Sequence, residues 1–87
     1  MILARVAGHV WGSVKAPGLE GFRLLDVVPL AAGGESQATL VAADALGAGI
    51  GEHVLVAHGS RVRDLTLGVA VPVKDVVIAI VAGWELA

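Results

Sequence analysis

A chain of 87 residues and 8.8 kDa makes one domain, residues 1–87, and at that size folding buries only about 63% of the surface the unfolded chain exposes. Yet 56% of its residues are apolar and its mean hydropathy is +0.83, more apolar content than so small a monomer hides, so buried subunit interfaces are expected. A net charge of −2 argues against nucleic acid as a partner, zero cysteines exclude disulfides and thiolate metal sites, and no run of about 18 apolar residues escapes interruption by charge, which argues against a membrane helix.

The first predicted element is a strand over Ile2–Val14. Its even positions are Ile, Ala, Val, Gly, Val, Gly and Val, while its odd ones include Arg5, His9 and Ser13, the period of two expected of one dry and one wetter face. Gly8 and Gly12 inside it are expected to permit a bend or bulge, so that one long strand serves two sides of a small barrel. Met1 leads straight into this pattern without the basic region and apolar run of a signal peptide, and a cytoplasmic protein is expected. A second strand over Phe22–Leu30 ends near Pro29 in the loop Ala31-Ala32-Gly33-Gly34-Glu35-Ser36-Gln37. Thr39–Ala43 is a third strand, His53–His58 a fourth, and Val76–Val81 a fifth, uncharged and β-branched enough to be covered on both sides. Between the last two, Ser60–Asp64 is expected to form one helical turn capped by Ser60. These elements predict a mainly β fold: a five-stranded, OB-like β-barrel with one short helical turn.

The most specific segment is Asp44-Ala45-Leu46-Gly47-Ala48-Gly49-Ile50-Gly51-Glu52, three glycines in five positions closed by carboxylates. A phosphate loop would continue Gly-Lys-Ser/Thr, and a dinucleotide fingerprint would open a helix. Here a strand follows, Glu52-His53-Val54-Leu55-Val56-Ala57-His58, with no helix N-terminus to receive a phosphate. The glycines are therefore expected to serve architecture, by positive φ and close backbone approach.

The segment resembles the "DxxGAGxGE" signature of the bacterial microcompartment vertex proteins, the EutN/CcmL family of shell pentamers. Three further stretches are similar to that family in order: Lys15-Ala16-Pro17-Gly18-Leu19-Glu20-Gly21-Phe22-Arg23-Leu24-Leu25, the turn Gly59-Ser60-Arg61-Val62-Arg63, and Pro72-Val73 leading into the last strand. Lys74 stands where the family often has an acid, with Asp75 one place later, and Ala82 where an acid usually closes the last strand. The resemblance implies an OB-like barrel assembled as a cyclic homopentamer, which caps the fivefold vertices of a carboxysome or metabolosome shell. The implied partners are further copies of itself and hexameric or pseudohexameric shell proteins, with no cofactor and no catalysis. Its implied assembly residues are Asp44, Gly47, Ala48, Gly49, Gly51, Glu52, Gly59, Ser60 and Arg63, with the glycine motif at a subunit or tile junction or, alternatively, forming a turn within the subunit.

Other chemistries fit the residues less well. Single-strand binders stack bases on aromatics in a basic groove, and this chain has one Phe, two Trp and no Tyr. His53 and His58, five apart on a strand, point to opposite faces and do not share a metal, leaving His9 alone. Gly59-Ser60-Arg61 lacks the Gly-x-Ser-x-Gly elbow of a serine nucleophile, and the residues around Lys74 do not match the hairpin tip of a lipoyl or biotinyl domain. The competing functional class is a small homo-oligomeric β-barrel acting as a ligand-binding or scaffold subunit of an enzyme complex.

Overall fold

A computed structural model describes residues 1–12, 16–19, 21–31 and 33–84. Its elements are β1 (Ile2–Val10), β2 (Arg23–Ala31), β3 (Gly34–Glu35), β4 (Leu40–Asp44), β5 (His53–His58), α1 (Ser60–Leu67) and β6 (Asp75–Val81). The strands run in the order β1-β5-β6-β4-β2, and β2 pairs with β1 again, which closes a five-stranded barrel. The added β3 is a two-residue extension on β2, pairing Leu30 with Glu35 and Ala31 with Gly34. All neighbours are antiparallel except β4 and β6, joined in parallel through Ala43 and Val76.

Alternation fills the barrel. Ala4 and Val6 of β1, Leu25 and Val27 of β2, Ala42 of β4, Val54 and Val56 of β5 and Val77 of β6 point inward and form the core. Five strands leave a narrow interior, which suits Ala and Val better than aromatics. Each fully buried Val or Leu contributes roughly 1.5–3 kcal/mol.

Several expectations need correction. The first strand ends at Val10 rather than Val14; Trp11 and Gly12 lie beyond it, and Ser13 and Val14 are outside the described residues, as are Lys15 and Glu20 of the following motif and Ala32 of the later loop. Its bulge falls between Val6 and Gly8, where Ala7 is skipped in the pairing with β2. One extra residue reverses the inward and outward phase, so Val10, placed on the dry face by the even-position pattern, is 36% exposed. Residues Gly34–Glu35, expected in a loop, form β3.

The helix is longer than one turn and begins differently. It runs eight residues, its N-cap is Gly59 at φ 135°, and no side chain caps it; Ser60 lies inside its first turn instead. β6 is covered fully only at Val76 and Val77, while Ile80 is exposed, so within one chain it is not enclosed on both faces. No helix among the described residues is long and apolar enough to cross a membrane.

Candidate functional site

The glycine motif is a loop from the end of β4 to the start of β5, and Asp44 organises it. Its side chain is fully buried. Oδ1 accepts the N–H of Leu46 at 2.9 Å, and Oδ2 accepts the N–H groups of Gly47 at 3.0 Å and Ala48 at 2.9 Å. An Asp followed by a turn does this locally, its carboxylate replacing the backbone acceptors that a strand would have supplied. The β2–β4 register pairs Asp44 with Arg23, whose Nη1 lies 3.8 Å from Oδ2. Three N–H donors and one guanidinium thus offset the desolvation of a buried carboxylate.

The middle of the loop is pegged to the core by Ala48, which is fully buried. Gly47 and Gly51, both at φ +89°, turn the chain into that peg and out of it, a conformation costly for residues with a Cβ. Gly49 does not adopt positive φ. Its N–H donates to Glu52 Oε1 at 2.6 Å, and a Cβ there would lie 3.2 Å from the same oxygen. At the exit, Gly51 donates its N–H to the Val6 carbonyl at 2.8 Å and Val6 donates its own to the Glu52 carbonyl at 2.9 Å. The loop therefore extends the β1 ladder beyond the start of β5, which pairs with β1 only over Ile2–Arg5.

Gly59, Ser60 and Arg63 form a separate group at the far end of β5. Gly59 donates its N–H to the Lys74 carbonyl at 3.0 Å, and its carbonyl accepts the Arg63 N–H at 3.0 Å to open α1. Arg63 Nη1 donates to the carbonyls of Val71 at 2.8 Å and Val73 at 3.4 Å, and its Nε to Asp64 Oδ1 at 2.8 Å. This guanidinium fastens the helix to the segment that precedes β6. Ser60 is exposed and does none of this.

Among the described residues no three His, Cys, Asp or Glu side chains are grouped as a metal site would require. His9 lies against Arg23, with Nε2 2.7 Å from Nη2; the His53 ring meets the Trp84 ring at 4.5 Å between centroids; and His58 Nδ1 lies 2.9 Å from Asp75 Oδ1.

The family model described as "Ethanolamine utilisation protein EutN/carboxysome" matches residues 1–81. The chain belongs to the EutN/CcmL family. Among curated proteins, the bacterial microcompartment shell vertex protein PduN of Salmonella typhimurium is 41% identical over 86 residues, covering 93% of this chain and 94% of its own. The carboxysome shell vertex protein CcmL of Synechococcus elongatus is 40% identical over 82 residues, covering 93% and 83%. Among solved structures, the GrpN pentameric microcompartment shell protein from Rhodospirillum rubrum superposes with a TM-score of 0.86 at 33% identity, over 100% of both chains.

In this EutN/CcmL chain the sequence motifs pointed to Asp44 and Glu52 but not to the residues that receive them. Arg23 and Val6 come from other strands, and Arg23 carries no local mark of its partner. The Arg5–Glu35 pair, 30 positions apart, was equally silent: Arg5 Nε and Nη2 donate to the Glu35 carboxylate, tying β3 to β1. That hydrogen bond, more than charge alone, holds the Glu35 carboxyl below its usual range and raises the Arg5 guanidinium further.

Proposed function

We propose that the chain is a structural subunit, catalysing nothing itself, that assembles as a closed ring of five and caps the fivefold vertices of a bacterial microcompartment shell in the cytoplasm. The observation that carries this reading is the whole-length agreement in fold with a pentameric shell protein, 100% of each chain, together with two shell vertex proteins at 40% identity or more. Hexagonal tiles alone cover a plane, and a pentagon at each corner supplies the curvature that closes a polyhedron. The partners in this reading are further copies of the chain within the ring and hexameric or pseudohexameric shell proteins along its rim. A cyclic ring needs a heterologous contact, one patch of a subunit meeting a different patch of the next. The exposed apolar side chains of the single chain, including Trp11, Leu46, Ile50 and Trp84, supply surface for such contacts.

Coexpression with hexameric shell proteins tests it. Closed polyhedral particles are expected when the chain is present, and sheets, tubes or particles open at their corners when it is left out. Particles equally closed and equally retentive without it would overturn the assignment.

A further inference from the structure

We propose that the Asp44–Glu52 loop is a strap across the weakest seam of the barrel, holding β4 against β6, and that the Asp44 carboxylate is its fastening. The proposal concerns the fold of one chain and does not depend on the ring.

The barrel is closed unevenly. β1 and β2 are laddered from Ala4 with Pro29 to Val10 with Leu24, β2 and β4 from Arg23 with Asp44 to Val27 with Leu40. On the other side, β1 and β5 are laddered from Ile2 with Val56 to Arg5 with His53, and β5 and β6 from His53 with Val81 to His58 with Asp75. Among the described residues, β4 and β6 are joined only by the pairing of Ala43 with Val76, in the parallel arrangement that is the weaker one per residue. In the closed order β1 lies opposite this seam, with β2 and β4 as one wing and β5 and β6 as the other. Parting the wings at the seam breaks that one pairing and leaves every antiparallel ladder whole. Local opening begins where the fewest bonds are lost.

The loop is fastened on both wings. Asp44 follows the seam residue Ala43 directly, lies 3.8 Å from Arg23 of β2, and accepts the N–H groups of Leu46, Gly47 and Ala48. At the other end Gly51 and Glu52 are bonded to Val6 of β1, and the chain runs straight on into β5. Separating β4 from β6 therefore pulls the two anchorages apart. Between them Ala48 is buried in the same core as Ala42 and Val77, which flank the seam residues Ala43 and Val76. The bonds on the far side of the seam do no such work: Gly59 reaches the Lys74 carbonyl and Arg63 the carbonyls of Val71 and Val73, all within the wing of β5, α1 and β6. What β4 and β6 lack in ladder bonds, the loop supplies. Weakening the hold of Asp44 should then open the seam while the opposite wall of the barrel stays shut.

Because the chain has no cysteine, a single introduced thiol reports the opening. Val76→Cys puts one at the seam and Ala4→Cys puts one on β1 opposite it, both at fully buried positions. A buried thiol reacts only when its surroundings open, so its rate of labelling by a thiol reagent measures that opening. Each variant is labelled at one fixed chain concentration, with and without Asp44→Asn. Weakening the charge-assisted bonds of Asp44 is expected to speed labelling at position 76 at least about tenfold and at position 4 less than about twofold. Equal acceleration at both positions would mean that the whole barrel loosens, and no acceleration at position 76 would mean that the loop does not hold the seam; either result overturns the proposal. Amide hydrogen exchange of the wild type needs no variant to fold. The amides bridging β4 and β6 should exchange at least about tenfold faster than the slowest of the β1–β2 ladder. Equal protection of the two sets would also overturn it.

Discussion

Gly51 donates its N–H to the carbonyl of Val6 at 2.8 Å, so the far end of the glycine loop is a rung of the β1 ladder rather than a free connection. Val6 is fully buried in the barrel core. Through this pair the loop's conformation is tied to the packing of β1, and a change in either is felt by the other. The opposite end of the loop is tied to β2 and β4 through Arg23 and Asp44.

Asp44 should be the most sensitive polar position of the loop. Asp44→Ala leaves three N–H groups without their acceptor, one of them, on Ala48, buried. Charge-assisted bonds of this kind are worth about 1.5–3 kcal/mol each and are not additive, so a loss of about 3–5 kcal/mol is expected. Asp44→Asn keeps one acceptor oxygen and should lose about half as much. Urea unfolding at one fixed chain concentration measures both; a loss below about 1 kcal/mol for Asp44→Ala would show that the donors find other partners.

The glycines should separate by φ and not by position in the motif. Gly51→Val forces a β-branched residue to φ +89° and should cost about 2–3 kcal/mol. Gly49→Ala introduces a Cβ 3.2 Å from the end of the Glu52 side chain, which can move, and should cost less than about 1 kcal/mol. Thermal melts of the two variants side by side give the comparison, and equal losses would mean that contact rather than backbone conformation governs the loop.

Acidification should loosen β3 before the barrel. Glu35 is held below its usual range in the folded chain, so the stabilisation it brings is complete above the unfolded carboxyl value and is lost as pH falls through the folded one. The pair is solvent-accessible and its global effect should be small. The readout is local: carboxyl-detected NMR should place the Glu35 titration below that of an ordinary Glu, and Arg5→Met should return it to the usual range. A Glu35 titration unchanged by Arg5→Met would refute the link.

Much of the barrel was legible because strands announce themselves at short range. His53–His58 was placed to the residue, and β2, β4 and β6 to within one at each end, since alternation and β-branching act over a few neighbours. The glycine segment was likewise legible as a turn. Its acid and its glycines lie within nine positions, and the bonds from Asp44 to Leu46, Gly47 and Ala48 are local ones.

What the sequence by itself determined, then, is a small, apolar, five-stranded chain with family motifs in order, because pattern and turn chemistry are encoded among near neighbours. Tertiary structure alone decided how those parts meet. Val6 receives the loop, Arg23 faces the buried Asp44, and Glu35 reaches Arg5 across 30 positions, none of which a local pattern records. The helix start shows the same division at smaller scale: Ser60 has the composition of a cap, but the Gly59 backbone, bonded to Lys74 at the head of β6, sets where the helix begins. Closure brings distant strands into register, and register, not sequence proximity, chooses the partner of each polar group.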